Sequence, residues 1–402
     1  MPRTRIIAAL LAGRTEEFLA REEVRRLAAD FRKGIDRALS RSSSEDGAAF
    51  LARVRRGLEE HKEAERVLEG EFTLLGQQLA AASAGELSAI HDRFRALVAE
   101  HFRRRRGVSP FFELTAAYRD MLVRRVLELA EARMPSPAPP FACVALGAGG
   151  RGEPLPASGE EGVLVCSEGE LPYFSSFGGH VRLLLDEAGL GAGPPLPAAS
   201  VAEWRSRIAS CLHSGECGGI GDPADLADAR LVAGDAVLGE AFIAAAREGL
   251  SLNRPLLRRV AKEAAMLPLA IRFLGWFRVE RGGAHRGEIN LRQYAIEPLV
   301  SNIRLMALMN GAQETGTVQR VRGLLHRGKL DVSLAERLLK AYLDFCGFQI
   351  ETLVKAVPGG VEDAGFLSPD YLTEEEEQVL REGLETVETL QKIMYTEYVG
   401  HG

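Results

Sequence analysis

The chain has 402 residues, 46% of them apolar and 26% charged, with a net charge of −6 at neutral pH. That length accommodates two or three domains with cores of ordinary size. The negative balance removes any whole-chain electrostatic case for nucleic acid, and no apolar run is long enough to cross a membrane as a helix.

The first residues, Met1–Gly13, are basic and then briefly apolar, but the apolar run is short and acidic residues follow at once. A cleaved export signal is therefore not expected. The five cysteines (Cys143, Cys166, Cys211, Cys217 and Cys346) have no metal-site spacing, and the eight histidines are scattered without an HExxH pair. Cys143 and Cys166 fall in predicted strands and read as buried apolar fillers. A reducing, cytoplasmic setting is expected.

Residues 1–134 read as helical throughout. Val24, Leu27, Phe31 and Ile35 recur at helical spacing, as do Leu51, Val54 and Leu58, and then Leu87, Ile90, Phe94 and Leu97. The loop Ser40–Gly47 separates the first two helices. Ser109–Pro110 reads as a cap and first helical position for a helix running to about Met134, with Leu114, Tyr118, Met121 and Leu122 on one face. The basic run His101–Arg106 suits a solvated helix end, where cations complement the dipole, or alternatively an anionic partner surface. Pro135–Pro140 is a stiff linker.

Beyond the linker, Phe141–Leu146 is a short apolar strand, followed by a glycine-rich turn, a polar loop with Pro154 and Pro156, and a second strand at Gly162–Val165. Gly147, Gly149 and Gly152 match G-x-G-x-x-G. Prolines and Gly159 stand where a dinucleotide fold needs its helix, and no Gly-Lys-Ser/Thr completes a Walker loop. The stretch suits a phosphate on backbone amides beside a carboxylate-held metal. It suits equally a ligand-free turn between two core strands.

A helix is expected at Tyr173–Ala188, a Gly/Pro-rich loop at Gly189–Ala199, and a further helix from Val201 with Trp204 and Ile208 facing inward. Asp228, taken alone, reads as a surface acid at a strand end. From Ser251 the chain is helical again, starting at Asn253–Pro255 and broken at Gly282–Gly287. Arg258 and Lys262 lie four apart and share a face, which is either solvated or turned toward a triphosphate across a cleft. Two or three amphipathic helices follow around Pro358–Pro369, and the acidic run Glu374–Glu377 suits the solvated start of the last. No internal repeat is evident.

Read in register, these motifs resemble the nucleotidyltransferase core of the bacterial PII-uridylyltransferase-like signalling proteins. The family pattern is Gly-Ser-x-Gly-Arg-x-Glu, a short spacer, Thr/Ser-Asp-Gln-Asp-Asn and an apolar strand. Here Gly147, Gly150, Arg151, Glu153 and Ser158 keep it without a gap. Leu226–Asp235 resembles Phe-Asp-x-Arg-x-Val-x-Gly-Asp, with Asp228 as the third core carboxylate and Arg230 after it. Glu288–Arg292, the helix bearing Glu297, Arg304 and Leu305, and then Thr315, Thr317 and Arg320 resemble the family's C-terminal substrate-binding domain. The resemblance covers residues 109–350, approximately.

The resemblance implies an α+β, mostly helical chain. Residues 1–134 would be a helical regulatory or interaction domain, 139–248 a small mixed-sheet core flanked by helices, and 251–402 a helical substrate-binding domain. It implies a nucleoside triphosphate as substrate or ligand and Mg2+ on Glu161 and Asp228, the catalytic carboxylates. Phosphates would sit on Gly147, Ala148, Gly150, Arg151 and Ser158, with Arg258, Lys262 and Arg292 contributing from the C-terminal side. Partners would be the nucleotide and a protein acceptor or regulator reached through the N-terminal helices; neither nucleic acid nor membrane is implied.

The departures fall on the chemistry. Ala148 replaces the phosphate-binding serine, Gly159 the first metal-binding aspartate, and Glu161 the second. If the strand extends back through this segment, alternation puts 159 and 161 on one face and Glu160 on the other, so Glu160 is a poor substitute. Asn290 and Arg292 stand where the family has Asp and Lys. Three expectations result: a regulatory protein that keeps the fold with transfer weakened or lost, an active metal-dependent nucleotidyltransferase, or an interaction scaffold that binds no nucleotide.

Overall fold

The apolar run Phe141–Ala145 is short, β-compatible and buried on both faces, so it becomes a central strand. The computed structural model describes residues 44–156, 158–159, 161–190, 196–214, 222–271, 276–356 and 365–399. Residues 1–43, with the helical spacing of Val24, Leu27, Phe31 and Ile35, lie outside the described residues. So do Ala157, Glu160, Cys217 and Pro358.

Three helices lead into the sheet: α1 (Ser44–Ala81), α2 (Leu87–Arg105) and α3 (Val108–Glu131). The expected loop at 40–47 is corrected from Ser44 onward, because Ser44–Gly47 are helical in α1. Helix α3 begins one residue before the expected cap: Gly107 is its N-cap, and Pro110 sits in a first turn that needs no amide from it.

The core follows as β1 (Phe141–Ala145), α4 (Gly147–Arg151), β2 (Gly162–Cys166), α5 (Leu171–Glu187), β3 (Ala198–Ser200), α6 (Val201–Ser214), a 3-10 turn at Pro223–Asp228, β4 (Arg230–Gly234) and α7 (Ala236–Leu252). The sheet order is β3-β2-β1-β4. Strand β1 is antiparallel to both β2 and β4, and β2 is parallel to β3, with α5 as the crossover. The sheet is mixed and small in a mostly helical chain, as expected. Strand β3 occupies the end of what the sequence suggested was loop.

Alternation along β1 and β2 divides the core. Ala142, Val144, Val163 and Val165 face Trp204, Ile208 and Phe242 of α6 and α7. Cys143, Ala145, Leu164 and Cys166 face Phe174 and Phe177 of α5, in an apolar cluster that runs without interruption from Leu75 to Met394. Cys143, Cys166 and Cys346 are buried and in no disulfide, whereas Cys211 is disulfide-bonded, a bond the cysteine spacing did not single out. Gly234 takes a φ of 93°, and a Cβ there would lie 2.1 Å from the Phe141 carbonyl, so β4 can close on β1 only with glycine.

The C-terminal half comprises α8 (Arg254–Ala265), β5 (Ile289–Asn290), α9 (Glu297–Met309), α10 (Thr317–His326), α11 (Val332–Ala356), β6 (Phe366–Leu367) and α12 (Glu374–Met394). Asn253 caps α8 by accepting from Leu256 N–H, as its sequence suggested. That helix stops at Ala265 rather than at Gly282; Pro268 restricts the residue before it and cannot continue the ladder. Thr373 caps α12, whose first turn carries Glu374–Glu377. No helix among the described residues is long and apolar enough to cross a membrane.

Trp204 is fully buried, packs edge-on against Phe242 at 5.5 Å between ring centroids, and donates to the Leu164 carbonyl at 2.9 Å. Truncating Trp204→Ala should lower the unfolding free energy by about 3–5 kcal/mol in urea titrations. A loss within experimental error would show that α6 does not pack on this face.

Candidate functional site

Register brings three chain segments to one end of the sheet. Ala145 at the end of β1 pairs with Gly162 at the start of β2 and with Arg230 at the start of β4. Whatever follows β1 and precedes β2 and β4 must therefore meet. These segments are the Gly147 turn, the 158–161 loop and the Pro223–Asp228 turn.

The glycine segment differs from expectation in one respect: it forms a single helical turn, α4, opened by Gly147 at a φ of 53° and closed by Gly152 at 72°. The Gly150 N–H donates to the Leu146 carbonyl at 3.0 Å and is used inside the turn. The amides of Gly147, Ala148 and Gly149 precede that bond and have no acceptor within the helix. Gly150 has another role. A Cβ there would lie 2.0 Å from the Asp228 carbonyl, so glycine lets the turn rest on the backbone of Asp228.

Ser158 and Gly159 are held by α3 rather than aimed at a ligand. The Arg119 guanidinium donates to the carbonyls of Leu155, Ser158 and Gly159 at 3.1, 2.6 and 3.1 Å and to Ser158 Oγ at 3.0 Å. The Ser158 hydroxyl itself donates to the Leu155 carbonyl at 2.8 Å. Residues 158, 159 and 161 precede β2 and are not in a strand, so the face-alternation argument does not govern them. Glu161 is exposed, and its Oε2 lies against Gly147, 2.3 Å from where a Cβ at that position would be.

Asp228 is fully buried and met by three guanidiniums. Arg151 and Arg304 reach Oδ2 through Nη1 at 2.6 and 2.9 Å, and Arg320 Nη1 lies 2.7 Å from Oδ1. Arg151 comes from α4, Arg304 from α9 and Arg320 from α10. The cluster extends on both sides. Arg304 also pairs with Asp225. Arg151 Nε donates to Glu153 at 2.9 Å, and Glu153 in turn accepts from Thr317 N–H at 2.6 Å and Thr317 Oγ1 at 3.0 Å, capping α10. Arg320 Nη2 donates to the Ala227 carbonyl at 2.9 Å. Arg230, the arginine after the motif aspartate, turns away to a two-pronged pair with Asp120 of α3 and to the Gly149 carbonyl.

Burial pushes the Asp228 carboxyl up, but Arg304, Arg151 and Arg320 together outweigh it and hold the group below the ordinary aspartate value. Asp225 goes the other way: burial and the Asp228 charge raise it against the pull of Arg304. At Arg320 burial outweighs Asp228 and the value falls, whereas Arg151 and Arg304 are raised by their acids.

Arg258, Lys262 and Arg292 are exposed, and among the described residues none is hydrogen-bonded or ion-paired to Asp228, Glu161 or the Gly147 turn. The cations that reach the site are Arg151, Arg304 and Arg320. A divalent ion on Glu161 and Asp228 does not fit this arrangement. Gly159 offers no donor, and both Asp228 oxygens face guanidiniums. No group of three His, Cys, Asp or Glu among the described residues is placed to hold a metal.

Replacing Asp228 by asparagine leaves buried guanidiniums without their carboxylate and should cost about 3–5 kcal/mol of stability. Asp228 titrates lower in the folded chain than the ordinary value of 3.8, so its contribution is present above that value and is lost as pH falls through the folded one. The stability gap between wild type and Asp228→Asn, measured by denaturation at stepped pH, should therefore be constant near neutrality and close only in acid. A gap that closes between neutral and mildly acidic pH would refute the assignment.

Residues 92–216 match the family model described as "Putative nucleotidyltransferase DUF294", and residues 254–398 match "Putative nucleotidyltransferase substrate binding domain". No curated protein matches the chain. The first match holds the Gly147 turn, Arg151 and Glu161, the second holds Arg304, Thr317 and Arg320, and Asp228 lies between them. The chain thus carries, in order, a domain of the putative nucleotidyltransferase family and a domain of its putative substrate-binding family.

Proposed function

We propose that this chain is a regulatory protein of PII-uridylyltransferase-like type that keeps the nucleotidyltransferase fold and has given up nucleotidyl transfer. The observation that carries the reading is Asp228. Transfer of a nucleotidyl group depends on in-line positioning and on cations that neutralise the transferred phosphoryl group. In this chain the carboxylate expected to hold such a cation is buried against Arg151, Arg304 and Arg320. Gly159 has no side chain to replace the missing ligand, Ala148 has no hydroxyl, and the Ser158 hydroxyl is spent on its own loop.

A nucleoside triphosphate remains the ligand class of this reading. The amides of Gly147–Gly149 offer backbone donors. Glu161 lying over Gly147 favours a second reading, an interaction scaffold that takes no nucleotide, because a carboxylate there competes with an incoming phosphate.

The test is calorimetric titration of the full chain with ATP, UTP, CTP and GTP, with and without magnesium, alongside a labelled-nucleotide transfer assay. Binding that is indifferent to magnesium, with no label transferred, is expected. Gly159→Asp alone should stay inactive, since Asp228 remains held by arginines. Turnover by the wild type would overturn the proposal in favour of an active transferase. No binding of any nucleotide would leave the scaffold.

A further inference from the structure

Three guanidiniums converge on one carboxylate. Arg304 and Arg151 each have a second acid, Asp225 and Glu153, but among the described residues Arg320 is ion-paired to Asp228 alone. Asp228 has only two oxygens for three planar forks, so Oδ2 is shared between Arg151 and Arg304. Guanidinium forks match phosphate oxygens as well as carboxylate oxygens, and a tetrahedral oxyanion offers more of them. The forks are held from outside Asp228: Arg320 by the carbonyls of Ala227 and Glu314, and Arg151 by Glu153. The arginines are thus positioned partly independently of the anion they surround.

We propose that Arg151, Arg304 and Arg320 form an oxyanion seat whose resident occupant is the chain's own Asp228, and that this seat takes a phosphate-class anion when the carboxylate is withdrawn. The inference rests on the reading above, that Asp228 serves arginines rather than a metal. It gives that reading a regulation: the site inhibits itself with an internal carboxylate. The occupant also joins the two family domains, since Arg151 belongs to one and Arg304 and Arg320 to the other. Arg151 and Asp225 are 13% and 18% exposed, so the seat lies one side chain below the surface.

Chemical rescue tests it. Full-length Asp228→Ala and wild type are melted in inorganic phosphate, pyrophosphate, ATP or sodium chloride at matched ionic strength, and phosphate and pyrophosphate binding is measured by calorimetry. Asp228→Ala should melt below wild type in chloride and be restored toward it by phosphate or pyrophosphate. Anion binding to the variant should be tighter than to wild type by about tenfold or more, the size of effect expected when a charge-assisted site is vacated. Adding Arg320→Gln to Asp228→Ala should abolish the rescue. Rescue by ATP but not by the inorganic anions would place the binding energy in the nucleoside and overturn the seat. So would equal anion effects on variant and wild type, or none on either. If Asp228→Ala does not fold in chloride, its refolding in phosphate or pyrophosphate against chloride becomes the readout: recovery in those anions alone supports the seat, and equal recovery in chloride, or none in any anion, overturns it. Failure of rescue leaves the loss of transfer untouched, whereas label transfer by the wild type overturns that reading whatever the anions do.

Discussion

Burying a carboxylate without a partner is costly, and burying a guanidinium without one is equally so. Asp228, Arg304 and Arg320 are nearly inaccessible to water and Arg151 is mostly so, so each is tolerable only because the others are present. The positions of α4, α9 and α10 relative to the sheet follow from that mutual requirement. Helix α4 can approach only because Gly150 has no side chain, and α10 is fixed a second time by the Glu153 cap on Thr317. The signature arginine and glutamate of the family motif are thereby engaged in holding two halves of the chain together.

The sheet makes this possible. Antiparallel pairing of β1 with both β2 and β4 forces the end of one strand and the starts of two others to the same edge. Both sheet faces are covered by helices, so the edge is the place where polar groups can gather. Arg119 and Arg230, both gripping backbone carbonyls there, fix the loop before β2 and the Gly147 turn.

Much of this was legible in the residues. The strand–glycine–strand stretch, the helix at Val201 with Trp204 inward, the Asn253 cap and the acid-rich start of α12 follow from patterning and capping alone, and the family register located Asp228, Arg151 and Glu153. The cations that the structure brings to Asp228 include two, Arg304 and Arg320, that spacing did not single out. Arg258 and Lys262 share a helix face by spacing, but spacing does not say where the face points, and theirs is exposed. Arg304 interrupts the apolar helix Glu297–Met309, and a charge inside such a helix must find a buried partner; that was the usable signal. Pro268 was the local signal for the end of α8, whereas the strand at Ala198 and the pairing of β5 with β6 depend on contacts distant in sequence, which local pattern does not carry.

Asp228 falls in the interval between the two segments that match family domains, and its counter-ions lie within them. Neither segment is therefore electrostatically complete by itself. A chain cut near Asn253 would yield one fragment with a buried acid facing a single arginine and another in which Arg320 loses its acid and Arg304 keeps only Glu297, at 4.0 Å. Domain shuffling, which moves such segments between proteins as separate pieces, would be penalised here. Inheritance of the two as one unit is what this distribution of charge favours.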